Sequence, residues 1–272
     1  MKRFSIIVLA AAALLFTSCK SSLPTTTGDP LNAVSYGYQP LDPLPVDVKI
    51  NDVVIDPLTQ PEAVLNALSD ETIRLVTGEV TASGRVAYGT ASMGYKGHSY
   101  EVIIDYMKFQ TYGKPFKYSV NGRKTDVYLT IDSVPQGTKL EREILPLYIG
   151  IGLRLKASIT VNEGKVNLGN LFSIGMAASA GKVTGTLVVQ TLGISGKDIS
   201  GLVPMPTEIS AASIQSAITA VSTIKTKIYD PDTRITPRTI GFYNVLGGGT
   251  DIINELITDC LQGNAVLNLF KK

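Results

Sequence analysis

The sequence has one histidine, no tryptophan and two cysteines among its 272 residues. A Ser–His–Asp triad could use only His98, which lies at the start of a predicted strand, so we expect a loop or strand-edge residue there. A zinc site needs three or four His, Cys or carboxylate ligands, and this stock of residues is too small. We therefore expect no catalytic residue, no metal site and no cofactor.

Charge is also scarce. Charged residues make up 18% of the chain, against about 25% in a typical domain. Because 25 Lys and Arg are matched by 23 Asp and Glu, no strong basic face is available and we expect no nucleic-acid partner. Gly, Ser and Thr take the polar positions instead, a composition that suits a β-rich protein.

The N-terminus has the features of an export signal. Lys2 and Arg3 precede an apolar run over residues 4–16, which is too short to span a bilayer as a stable helix. Small residues Thr17 and Ser18 then lead directly to Cys19. The arrangement resembles the lipobox of bacterial lipoproteins in its looser, Bacteroidota-like form, with Phe16 where the family has leucine. The alternative is an ordinary secretory signal with an incidental cysteine.

The resemblance implies that residues 1–18 are removed and that Cys19 becomes a lipidated first residue, carrying a diacylglyceryl group and usually a further acyl chain such as palmitate. Each buried methylene contributes roughly 0.8 kcal/mol, so two or more chains hold a protein on a membrane well. The protein is then expected in the cell envelope, anchored to a membrane through Cys19, with the outer membrane favoured over the inner.

The remaining chain divides by composition. Residues 19–45 begin with the lipidated cysteine and are rich in Ser, Thr, Pro and Gly, which predicts a flexible tether. Tyr36 and Tyr38 are candidates for the place where order begins. Residues 46–272 are expected to form a single domain, with a candidate sub-boundary near residue 137.

Periodicity predicts mostly strands within that domain. Residues 149–161 alternate strictly between apolar and small or polar side chains, which predicts a strand whose Arg154 and Lys156 face solvent. Turns are expected at Asn51–Asp52, at Asn121–Gly122 and over residues 93–97. Further strands are expected at 46–55, 80–88, 100–106, 183–194 and 238–245, and helices at 61–68, 170–180 and roughly 210–228, capped by Ser210.

A last helix is expected around Cys260, whose thiol would be buried and inert on an apolar face. With Cys19 lipidated, Cys260 has no partner for an intrachain disulfide. The fold class predicted is α+β, mainly an antiparallel β-sheet with a few covering helices in the C-terminal half.

Motifs for chemistry are weak. Residues 175–183 (GMAASAGKV) lack the spacing of a phosphate-binding loop and precede a strand instead of following one. Asp230–Pro231–Asp232 is expected to be a turn and not a calcium loop. Glu101 and Asp105 share one strand face, and so do Asp126 and Asp132, but pairs of this kind occur in any chain of this length.

Tyrosine is the one unusual feature of the composition. Eight of the 12 tyrosines fall between Tyr88 and Tyr148, which indicates either a surface that binds sugars or proteins or simple β-propensity. We expect a lipid-anchored envelope protein with a non-enzymatic binding or assembly role and a protein or glycan partner. The alternatives are a membrane-active, pore-forming protein, based on residues 149–161 and 169–181, and a carboxylate-dependent hydrolase.

Overall fold

The computed structural model of the protein describes residues 37–89, 91–121, 124–128, 136–137, 139–245 and 265–269. The first eight strands are β1 Gly37–Ile50, β2 Val53–Ile55, β3 Asp70–Val80, β4 Val86–Tyr88, β5 Met93–Tyr95, β6 Ser99–Asn121, β7 Lys124–Tyr128 and β8 Glu141–Val161. The others are β9 Lys165–Asn167, β10 Val183–Leu192, β11 Ile194–Ser195, β12 Thr207–Glu208, β13 Arg234–Ile235, β14 Arg238–Asn244 and β15 Ala265–Leu269.

Four α-helices are described: α1 Pro61–Ala67, α2 Leu171–Ser179, α3 Lys197–Ser200 and α4 Ala211–Thr226, together with a 3-10 turn at Pro57–Thr59. Ser210 begins α4 with a capping box, in which its hydroxyl accepts from the Ser213 amide while the Ser213 hydroxyl accepts from the Ser210 amide. The fold is therefore strand-rich, as predicted. Among the described residues, no helix is long and apolar enough to cross a membrane.

One large sheet runs in the order β15–β1–β14–β8–β6–β3–β4. Its centre is the pair β6–β8, which are antiparallel from Ser99 opposite Thr160 to Tyr118 opposite Glu141. The other edge of β8 is shared by β14 and then β10. β1 pairs with β14 antiparallel and with β15 in parallel, so the first and last described strands are neighbours.

The apolar side chains of the 149–161 alternation form the core. Ile149, Ile151 and Leu153 belong to a cluster that also holds Ile224 of α4. Leu155 and Ile159 belong to a second cluster with Ile214 and Ala217 of the same helix. The predicted strand is confirmed, and it extends eight residues further toward the N-terminus than the alternation indicated.

Several predicted boundaries are wrong. The tether was expected to reach residue 45, but β1 begins at Gly37, close to the tyrosines proposed as the start of order. Residues 80–88 are not one strand, because a turn over residues 81–85 separates β3 from β4. Residues 93–97 are not only a loop, since Met93–Tyr95 pair with β9.

One predicted turn is confirmed. Asn51 and Asp52 both have positive φ, 49° and 64°, and join β1 to β2 as a two-residue turn. Of the second predicted turn, Asn121 pairs with Lys124 in the β6–β7 ladder, and Gly122 lies outside the described residues. The expected helix around Cys260 lies outside the described residues.

Candidate binding cleft

A cleft of about 540 Å³ opens on the sheet face that carries Arg154 and Lys156. Three adjacent strands, β6, β8 and β10, supply its floor: Glu101, Ile103, Arg154, Lys156, Val188 and Gln190. Residues 39–42 of β1 form one wall and residues 85–88 around β4 form another. Within this wall Gln39 and Pro40 pair with β14, whereas Leu41 and Asp42 lie where that pairing is interrupted between Pro40 and Leu44.

Beneath the cleft lies a buried ion pair. Arg154 of β8 and Asp105 of β6 are directly opposite in the ladder, and their side chains are 3% and 0% exposed. The guanidinium donates from Nε to Oδ1 at 2.7 Å and from Nη2 to Oδ2 at 2.8 Å, a bidentate arrangement. The prediction that Arg154 faces solvent is therefore wrong, because this sheet face is covered at that point by β1 and β14.

The same pair binds those two covering strands. Arg154 Nη1 donates to the Leu41 carbonyl at 2.7 Å, and Nη2 donates to the Ile240 carbonyl at 3.1 Å. The Tyr38 hydroxyl donates to Asp105 Oδ2 at 2.5 Å. Gly241 makes room for this tyrosine, since an added Cβ would lie 2.8 Å from Tyr38 Cζ. Four strands, β1, β6, β8 and β14, thus meet at one charged pair.

The pKa values of Tyr38 and Arg154 in this network are both raised. Burial, followed by the negative charge of Asp105, raises the pKa of Tyr38 well above its usual range. Burial alone would lower the pKa of Arg154, but its hydrogen bonds and charge interaction with Asp105 raise it overall. At neutral pH the tyrosine is therefore a neutral donor and the arginine a cation.

A second, more accessible pair lines the cleft itself. Glu101 is buried and forms an ion pair with the partly exposed Lys156. The Tyr88 hydroxyl reaches from β4 and donates to Glu101 Oε1 at 2.7 Å. Burial and then the charge of Glu101 raise the pKa of Tyr88. The Glu101–Lys156 and Asp105–Arg154 pairs lie side by side on one face of the sheet, because Glu101 and Asp105 share a face of β6, as predicted.

This arrangement differs from that of an acid pair for hydrolysis. In such a pair one carboxylate is protonated because the other lies close and uncompensated. Here each carboxylate has its own cation and its own tyrosine donor. Exposed Arg85 and Asp42 add one charge of each sign at the cleft. The lining therefore combines apolar side chains with charged groups of both signs that balance one another.

Other predicted positions lie away from the cleft or outside the described residues. His98 is exposed at the start of β6, with Nδ1 2.5 Å from Glu79 Oε1. The segment at Asp230 forms a turn, in which Lys227 Nζ lies 2.8 Å from Asp230 Oδ2. Cys19, Cys260 and Asp132 are outside the described residues, as is the side chain of Asp126. In the described part of the chain, no group of three or more His, Cys, Asp or Glu could hold a metal ion.

The sequence contained a signal for the cleft that the periodicity analysis missed. Glu101 and Asp105 lie in an otherwise apolar stretch of β6, residues 100–107, and Arg154 and Lys156 lie in an otherwise apolar stretch of β8, residues 144–157. Opposite charges within adjacent buried strands must find partners. Tyr38 could not be found in this way, because its segment has the composition of a tether.

Comparison of the chain with protein-family models, curated proteins and solved structures finds no match. The cleft is therefore interpreted from its own geometry.

Proposed function

We propose that this chain is a lipid-anchored protein of the cell envelope, with the outer membrane favoured, that binds a ligand or partner and does not catalyse a reaction. The anchor rests on the lipobox resemblance at Cys19. The binding role rests on one observation, the 540 Å³ cleft whose partly apolar lining carries charged groups of both signs. Its volume is within the range of about 300–1,000 Å³ found for small-molecule sites.

We infer further that the helices of the C-terminal half act as a cover for one face of the sheet. Support comes from the apolar cluster in which Ile214 and Ala217 of α4 pack with Leu155 of β8. Such a cover leaves the opposite face, with its ion pairs, for the ligand.

The lining favours a small polar ligand with little net charge, such as a fragment of a glycan. Lys156 and Arg85 provide donors, while Glu101 and Asp42 provide acceptors. Sugar hydroxyls both donate and accept, so they can satisfy such a mixture of groups. Tyr88 adds a flat ring with a polar tip beside Glu101.

The rival functions receive less support. A hydrolase would need a carboxylate free to take part in proton transfer, whereas Glu101 is engaged by Lys156 and Tyr88. A pore-forming role for residues 149–161 would need their apolar face to meet lipid, whereas that face packs in the core.

A thermal-shift experiment tests the binding proposal. The purified full chain is heated with a panel of monosaccharides, disaccharides, amino acids and dicarboxylates, because a ligand that binds only the folded state raises the Tm. We expect sugars to raise the Tm of the wild type but not of Glu101→Gln. The matched control is Glu71→Gln, which alters an exposed ion pair with Lys225 outside the cleft and should respond like the wild type.

Two results would contradict the proposal. If no sugar shifts the wild type, or if Glu101→Gln responds as strongly as the wild type, the cleft does not bind a glycan fragment. Cleavage of chromogenic glycosides by the wild type, but not by Glu101→Gln, would establish the hydrolase instead.

A further inference from the structure

Helix α2 exposes apolar side chains where a surface helix normally carries charge. Its nine residues, Leu171–Ser179, include no charged side chain. Leu171, Ile174 and Gly175 are buried, while Phe172 and Met176 are 59% and 66% exposed. These two lie four residues apart and therefore on one face of the helix, one turn from each other. A helix that is apolar on both faces is usually covered on both.

Three lysines, Lys96, Lys165 and Lys182, lie in the turns and short strands near α2. Lys182 is tied to the end of α2, because its amide donates to the Ala177 carbonyl at 2.9 Å. Lys165 pairs with Tyr95 in the β5–β9 ladder, and the Lys96 amide donates to the Gly164 carbonyl at 3.2 Å. All three lysines are exposed.

The turns that carry these lysines are net positive. Glu163 is the acidic residue in the turn that joins β8 to β9, and Glu79 nearby is already engaged by His98. Lys165 Nζ also lies 5.3 Å from the centre of the Tyr95 ring. The exposed apolar face of α2 is thus bordered by net positive charge.

We propose that this end of the domain docks on the surface of an anionic lipid bilayer, with Phe172 and Met176 entering the headgroup region and Lys96, Lys165 and Lys182 facing the lipid phosphates. We name this group of five residues the docking face. The proposal goes beyond ligand binding in the cleft and does not depend on it.

The size and chemistry of the docking face favour lipid over protein. A stable protein–protein interface buries about 1,200–2,000 Å² in total. That is far more than Phe172 and Met176 can supply, even together with the exposed Met93 and Tyr95 of β5. A bilayer interface is less demanding: a few apolar residues can enter it while flanking lysines are attracted to anionic headgroups.

The absence of tryptophan makes a direct test possible. A full chain carrying Phe172→Trp has a single tryptophan, whose fluorescence is quenched by brominated acyl chains only when the ring enters the bilayer. The matched control is Tyr229→Trp. Tyr229 is also an aromatic side chain, is 62% exposed, and follows the C-terminal end of α4. Both variants are mixed with vesicles of brominated phosphatidylglycerol or of brominated phosphatidylcholine.

We expect blue-shifted, strongly quenched emission from Phe172→Trp with phosphatidylglycerol vesicles and little quenching from Tyr229→Trp. Adding Lys96→Gln and Lys182→Gln should lower the ratio of docked to undocked protein by about 30-fold, since each lysine near an anionic surface contributes roughly a factor of five. Far-UV circular dichroism of each variant checks that the fold is intact.

Three outcomes would overturn the proposal. The first is no quenching at position 172. The second is equal quenching at positions 172 and 229, which would mean general proximity to the bilayer without docking. The third is equal quenching in phosphatidylglycerol and phosphatidylcholine together with no effect of the lysine substitutions, which would remove the anionic headgroup from the interaction.

Discussion

Replacing Arg154 by methionine should destabilise the protein strongly, because it leaves a buried charge without a partner. Asp105 is fully buried, and of its donors among the described residues only Tyr38 would remain. The carbonyls of Leu41 and Ile240 would each lose their bond to the guanidinium. Breaking a buried ion pair on one side costs about 3–5 kcal/mol, and we expect Arg154→Met to lower the free energy of unfolding by about 4 kcal/mol.

The double variant Arg154→Met, Asp105→Leu separates the cost of an orphaned charge from the net contribution of the pair. Removing both charges is often close to neutral. Tyr38 would then turn to its second acceptors, the Ile240 carbonyl at 3.4 Å and Met107 Sδ at 3.5 Å. We therefore expect the double variant to recover most of the loss, although the Leu41 carbonyl remains without its donor.

Urea unfolding followed by far-UV circular dichroism measures these differences. The control is Lys225→Met, which removes an exposed ion pair with Glu71 and should change stability by less than about 1 kcal/mol. If Arg154→Met costs no more than Lys225→Met, Asp105 is not held by the pair and the reasoning about the buried network is refuted.

Four further predictions concern single sites. Leu155→Ala should lower the free energy of unfolding by about 2–5 kcal/mol, because Leu155 is buried against α4; a loss below about 1 kcal/mol in urea unfolding would place it outside the core. Gly241→Ala should cost about 1–3 kcal/mol by pushing a methyl group into the Tyr38 ring, and an unchanged urea midpoint would show that the ring can move aside. The pKa values of Tyr38 and Tyr88 are raised in the folded state, whereas an unfolded tyrosine ionises near pH 10. Their contribution to the free energy of unfolding is therefore complete below about pH 10 and is lost as the pH rises above it. Tyrosinate absorbance that reached its full value before the protein unfolded would contradict this. Cys19→Ala should abolish incorporation of radiolabelled palmitate and release the chain from membranes, and equal labelling of that variant would sink the lipoprotein assignment.

The sequence predicted the elements whose pattern is local. The alternation over 149–161 corresponds to the central strand β8, the Asn51–Asp52 pair to a turn with positive φ, and Ser210 to a helix cap. In each case a few neighbouring residues determine the conformation, so no knowledge of distant partners was needed.

The features that failed depend on distant partners. The prolines of β1 favoured a tether, yet Pro40 and Pro45 pair with β14 on either side of an interrupted ladder, where the missing amide hydrogens are tolerated. The alternation of its strand predicts that Arg154 faces solvent, and only the opposite residue on β6 and the covering strands show that it is buried. The candidate site was accordingly visible in the sequence only as two acids on one predicted strand and two bases on another, without an indication that they pair.

The pairing of β1 with β14 determines when the cleft can form during synthesis. Gly37 lies opposite Asn244, so β1 must wait for about 200 further residues before its partner exists, and closing so long a loop is slow. The central β6–β8 pair can form earlier, because both strands precede residue 162. The wall at residues 39–42 is therefore assembled among the last elements, and a chain whose synthesis stopped before β14 would have the β6–β8 pair but no cleft.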